Sequence, residues 1–307
     1  MVFFRYSVDK LFFSSRNLGG LANYKVDISN KGEVNDFFMS QKPDIVINCA
    51  AMANVDLCEE EKELCWKINV GGVKNLVDAC KRHSTHLTHI STDYIFDGKK
   101  ESGIYNEDDD PNPQGYYAKS KLEGESNVLK NFPLATILRP SVVYSVDDNF
   151  TTNFMTLLNR LPFFPLYYNG NTKFTPIHCS DLTDTIYHII SKNIYSKIIE
   201  CVGPEEITFK EVLHRLLKLI NKNRILIPLP LPLADMSARL FEMLPKPPLT
   251  RDQLRLLKYD NVLTGKYKSN SEIGVPSVRY FDEEVKKYCY MWRDGGQFST
   301  DKYSSSK

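Results

Sequence analysis

The chain has 307 residues, with 39 Lys+Arg against 38 Asp+Glu and a formal net charge of +1. That length suffices for one large core or two domains, and the balanced charge without a basic stripe argues against nucleic acid as a partner. No apolar run approaches the ~20 residues of a membrane span, and the seven cysteines form no C-x-x-C pair, so free thiols in a reducing, cytoplasmic compartment are expected.

In chain order, Met1 to Asp9 is apolar and aromatic and contains no glycine, and Met1 to Phe13 lacks a signal peptide's layout. Ile45-Val46-Ile47, Leu87 to Ile90 and Ala135 to Leu138 read as buried parallel strands, and Leu64 to Arg82 and Lys119 to Leu129 as the helices between them. This alternation predicts a doubly wound α/β layer with a Rossmann-type parallel sheet. The pattern changes from Asn149. Phe154 to Leu161 reads as a helix stopped by Pro162, because proline cannot continue the hydrogen-bond ladder. Pro162 to Gly170 reads as an aromatic loop, Asp181 to Ser191 as a helix, and Ala234 to Leu244 as a helix inside a proline-rich stretch. Gln297 to Lys307 is polar and serine-rich, which predicts a disordered tail.

Chemistry concentrates in Tyr117-Ala118-Lys119-Ser120-Lys121. On a helix, Tyr117 and Lys121 leave the same face one turn apart. An ammonium beside a phenol lowers the phenol's pKa, which makes Tyr117 a proton donor or acceptor near neutral pH. Upstream, a hydrophobic strand ends in Ser91-Thr92, a pair suited to holding a substrate oxygen. Tyr116 pairs at i+4 with Ser120 rather than with a lysine, so the catalytic assignment falls on Tyr117.

These segments follow one another in a familiar order: Val26-Asp27-Ile28-Ser29, Lys42 to Ala51, Asn54-Val55-Asp56, Lys67-Ile68-Asn69-Val70, Ile90 to Gly98, Tyr117 to Glu123, Leu138 to Tyr144, Asn153-Phe154 and Phe174 to Leu182. As a set, covering roughly residues 24 to 190, they resemble the extended short-chain dehydrogenase/reductase superfamily, and within it the dTDP-4-dehydrorhamnose reductases. The resemblance implies a reductase that uses NADP or NAD on a nucleotide-linked keto-sugar and allows a homodimer. It implies catalytic roles for Tyr117, Lys121 and Thr92. Cofactor contacts would come from Arg16, Asp27, Ile28, Cys49, Ala50, Ala51, Asn69, Ser91, Tyr117 and Lys121, and substrate contacts from Thr92, Asp93, Tyr94 and Asn153. Arg16 ends the segment Lys10 to Arg16, which reads as the family's second strand, and a cation there suits the 2′-phosphate of NADP. Residues 1–148 with about 172–200 would form the nucleotide-binding domain. Residues of about 149–171 with 201–296 would form a smaller substrate lobe, with the active site in the cleft between the lobes.

One expected part has no match. The family opens with a strand and a glycine-rich turn into a helix that holds the cofactor pyrophosphate. Gly19-Gly20 come too late for that turn, so the first strand and glycine-rich loop are read as absent. A start placed too late, a relative that has lost nucleotide binding, and Val2 to Tyr6 filling the vacant strand position are three readings of this gap. Two further functions stay open: a nucleotide-sugar epimerase or dehydratase on the same scaffold, and a non-catalytic regulatory relative, since the regulatory β subunit of methionine adenosyltransferase resembles the same reductases.

Other features have plain readings. His83, His86 and His89 run from a helix end into a strand and would not converge on a metal. Asp108-Asp109-Asp110 reads as a solvated loop before Pro111. Cys49 reads as a buried small side chain rather than a nucleophile.

Overall fold

The structure is a computed structural model and describes residues 12–16, 22, 24–92, 115–230, 257–258 and 260–296. The described residues divide into two compact units. The first holds those up to Thr92, residues 115–140 and Thr183–Glu200; the second holds Ser141–Leu182 and those from Cys201 onward.

The first unit opens with β1 (Ser14–Ser15) paired in parallel with β2 (Tyr24–Lys25), Ser14 opposite Tyr24. The strand expected over Lys10 to Arg16 is therefore Ser14–Ser15 among the described residues. Next come α1 (Lys31–Gln41), β3 (Ile45–Asn48), α2 (Val55–Glu60) and α3 (Lys62–Trp66). A π-helical turn over Lys67–Gly72 leads into α4 (Val73–His83), followed by β4 (His86–Ile90), α5 (Gly115–Asn131) and β5 (Thr136–Pro140). The single helix expected over Leu64 to Arg82 is thus interrupted by a π turn, a feature often found at functional sites.

β3, β4 and β5 run parallel, with Ile45 opposite His86 and Thr88 opposite Thr136, and Ile198–Cys201 lies beyond β5. β5 is buried along its whole length, whereas Ile45, Val46 and Ile47 are only half-buried. Among the described strands, β5 lies inside the sheet between β4 and Ile198–Cys201, and β3 is paired on one side, with β4. Val34 and Phe38 of α1, Leu76, Val77 and Cys80 of α4, Leu87 of β4, Val128 of α5 and Ile137 of β5 form one core. Each large apolar side chain so enclosed contributes roughly 1.5–3 kcal/mol relative to exposure. The 3.6-residue spacing of Leu76, Val77 and Cys80 is the apolar stripe that turns α4 inward.

The second unit holds β6 (Val143–Tyr144), α6 (Thr151–Arg160) and β7 (Phe163–Leu166). α6 ends because Leu161 precedes Pro162 and is forced extended, with φ −92° and ψ 137°. The loop expected over Pro162 to Gly170 is corrected by β7, which pairs in parallel with Ile225–Pro228, and by a 3₁₀ turn over Tyr167–Gly170. Burial decides it: Phe164 and Leu166 point into a core of Tyr144, Met155, Leu158, Phe174, Phe209, Leu213, Leu216 and Phe281. The helix expected at Ala234 to Leu244 and the tail from Gln297 lie outside the described residues. Among the described residues, no helix is long and apolar enough to cross a membrane.

Candidate functional site

Parallel strands deliver their C-terminal ends to one edge of a sheet, and in open α/β sheets ligands bind along that edge. β4 ends at Ile90 and is followed by Ser91 and Thr92, both buried. α5 lies against this end. Its Lys121 is buried, and the Nζ donates a 2.6 Å hydrogen bond to the carbonyl oxygen of Ile90. Burial pushes the Lys121 ammonium down to about 8, against the pull of the Glu125 carboxylate and of Cys49, both of which favour the charged form. Tyr117 sits one turn earlier on α5, half-buried, and packs with Tyr116 against Met52, Cys58 and Cys65.

A second layer fixes this geometry. The Ser91 hydroxyl donates to Glu125 at 2.6 Å. Arg139 of β5 closes on the same carboxylate through Nε at 3.2 Å and through Nη2. All three side chains are buried, so α5 is tied at once to the ends of β4 and β5. On the other side of β4, Asn48 accepts the Ala50 N–H at 3.1 Å, so its amide N–H faces His89 Nδ1 at 3.0 Å and leaves the proton on Nε2. Burial first, then the nearby Lys121 charge, hold the His89 imidazole neutral, well below its ordinary range.

The π turn supplies a third support. Asn69 accepts the Met52 N–H at 2.8 Å, donates to the Met52 carbonyl at 3.1 Å and donates to Ser120 Oγ at 2.9 Å. Ser120 in turn donates to the Tyr117 carbonyl at 2.8 Å. A Cβ on Gly124 would collide with the Asn69 carbonyl oxygen, so only glycine lets α5 approach the π turn this closely.

The remaining sequence-predicted residues fall as follows. Asp27 follows β2, and its carboxyl is held below the ordinary value: partial burial raises it, but hydrogen bonds from Ser29 and the charges of Arg16 and Lys67 outweigh that. Arg16 is exposed, directly after β1. Ile28 packs against Gly72, where a Cβ would come within 2.6 Å of its side chain. Cys49 and Ala50 are exposed after β3, and Ala51 is half-buried. The buried setting expected for Cys49 is thereby corrected: the residue lies just past the end of β3 and is exposed. The Ser91 hydroxyl donates to Glu125, and Thr92 is buried beside it in the chain. Asn153 is exposed in the first turn of α6, in the second unit. Asp93, Tyr94 and Asp108-Asp109-Asp110 lie outside the described residues.

The three histidines have separate surroundings: His83 lies against Phe38, His86 against Tyr195 and His89 against Asn48. The Tyr116 N–H meets the Glu59 carboxylate, and the Tyr116 ring lies 5.9 Å from that of Trp66. Sequence reasoning missed Glu125 and Arg139. Two signals were present: Glu125 lies one turn beyond Lys121 on the same face of α5, and Arg139 is a charge inside an otherwise apolar strand.

Residues 8–220 match the model of the RmlD substrate binding domain family. The chain belongs to that family. It is 42% identical over 137 residues to the dTDP-4-dehydrorhamnose reductase of Aggregatibacter actinomycetemcomitans, a match covering 45% of each chain. It is 30% identical over 168 residues to methionine adenosyltransferase 2 subunit beta of Danio rerio, covering 55% of this chain and 49% of the other. The match thus spans about half the length of these curated relatives. The crystal structure of the Bacillus anthracis dTDP-4-dehydrorhamnose reductase in complex with NADP superposes with a TM-score of 0.61 at 24% identity, over 81% of this chain and 84% of that one. RmlD family membership and this likeness agree with the parallel α/β sheet of the first unit and with the order of segments from β2 to β5.

Proposed function

We propose that this chain is a nicotinamide-dependent reductase of a nucleotide-linked keto-sugar, acting on the C4 carbonyl as a dTDP-4-dehydrorhamnose reductase would. The observation that carries this reading is the Lys121 ammonium, buried and pinned to the carbonyl of Ile90 at the end of a parallel strand, two residues before Thr92 and one helical turn from Tyr117.

The side chains suit a dinucleotide. Cys49, Ala50 and Ala51 are small and at least partly open at the end of β3, which lets a flat ligand lie close to the strand. Asp27 and Ile28 after β2 would bracket the adenine, and Arg16 after β1 would meet a 2′-phosphate, which favours NADPH over NADH. Lys121 would hydrogen-bond the nicotinamide ribose. A reduced nicotinamide supplies hydride when bound. The protein's own part is then proton and charge management. Tyr117 gives its proton to the alkoxide oxygen, and Lys121 makes the resulting phenolate less costly. The Thr92 hydroxyl holds the oxygen on which negative charge develops. Asn69 and Ser120 position the turn of α5 that bears Tyr117, so Asn69 acts on the site through the helix.

The test is direct. The purified protein, given a dTDP-linked 4-keto-6-deoxysugar and NADPH, should consume the cofactor and yield the 4-hydroxy sugar. A folded protein giving no product with NADPH or NADH would overturn the reading. A second reading, a binding subunit without turnover, is favoured by the likeness to methionine adenosyltransferase 2 subunit beta. It predicts that null result.

A further inference from the structure

We propose that Glu125 is the positioning residue of this site: held by Ser91 and Arg139, it fixes the turn of α5 that presents Lys121 to the end of β4 and keeps a negative charge beside that ammonium. The consequence for turnover rests on the reductase reading; the clamp itself does not.

Three elements converge on one buried carboxylate. Ser91 donates to it from the end of β4 at 2.6 Å, and Arg139 grips it from β5 through two nitrogens. Glu125 lies four residues after Lys121, so the two side chains leave the same face of α5. The groups that act on Lys121 are Glu125 on α5, His89 and the Ile90 carbonyl on β4, and Cys49 after β3. His89 is neutral, so the Lys121 charge is set mainly by burial against Glu125. Without Glu125, the Lys121 ammonium would lose a favourable negative charge on its own helix, and burial would disfavour its protonated form more strongly.

The test titrates Lys121 itself by NMR, in protein whose lysines carry an NMR-active carbon at Cε, with the resonance assigned by its loss in Lys121→Met. Glu125→Gln should lower the Lys121 midpoint by roughly one pH unit or more, whereas Arg139→Gln, which leaves Glu125 unneutralised, should raise it. Glu125→Asp keeps the charge and should stay near the wild type. The alkaline limb of kcat/KM should move with the midpoint in each variant. If Glu125→Gln does not fold, Arg139→Gln decides: a raised midpoint supports the clamp, and an unmoved one overturns it. An unmoved midpoint in both variants overturns it as well. Shifted midpoints in a protein without reductase turnover would sink the reductase reading and leave the clamp standing.

Discussion

Lys121 and Ile90 are joined by a 2.6 Å hydrogen bond from the lysine Nζ to the backbone carbonyl that ends β4. One bond thereby locks a helix to the C-terminal end of a strand and fixes a buried lysine there. The charge is buried, and its cost to the fold can be measured.

With a folded pKa near 8 and an ordinary value of 10.5, Lys121 binds fewer protons folded than unfolded between those two values. Stability therefore rises with pH through that window, and the full cost of the buried charge is borne below it. Lys121→Met should remove this rise, with a difference between the two proteins on the order of 3 kcal/mol across the window. Urea denaturation of both proteins at a series of pH values checks it. Parallel pH dependences would show that Lys121 is not buried as described.

Gly124→Ala tests the contact between α5 and the π turn. The added methyl meets the Asn69 backbone carbonyl, which is not a flexible group and cannot swing away. A loss of about 1–3 kcal/mol is expected from such overpacking, and the displaced helix should also reduce turnover. Unchanged stability in chemical denaturation would mean that the two helices do not approach this closely.

Arg16→Ala tests cofactor choice. Arg16 is exposed after β1 and acts electrostatically on Asp27. A charge-assisted contact to a phosphate contributes about 1.5–3 kcal/mol, so NADPH affinity should fall roughly ten- to hundredfold while NADH affinity changes little. Calorimetric titration with both cofactors distinguishes this from equal weakening, which would point Arg16 elsewhere.

Local pattern carried much of the fold into view. β3, β4, β5 and α5 announce themselves as apolar runs and helical spacing, and the Tyr117–Lys121 interval is readable before any coordinates. What stayed hidden depends on partners distant in the chain. β7 forms because Ile225–Pro228 pairs with it, and nothing near Pro162 signals that pairing. Cys49 is exposed just past the end of β3, a setting its small apolar neighbours Ala50 and Ala51 do not signal. The bond from Ser91 to Glu125 depends on the register of α5 against β4, which no local pattern signals.

The central claim is that Tyr117 delivers the proton, and the most direct test is the reduction rate of Tyr117→Phe beside Tyr116→Phe, with NADPH and a dTDP-linked 4-keto-6-deoxysugar. Phenylalanine keeps the packing against Met52, Cys58 and Cys65 and removes only the acidic hydroxyl. The account predicts a loss of ~10²–10⁴ in rate for Tyr117→Phe and a much smaller effect for Tyr116→Phe, whose ring lies against Trp66. A Tyr117→Phe variant that reduces the sugar at nearly the normal rate would contradict it.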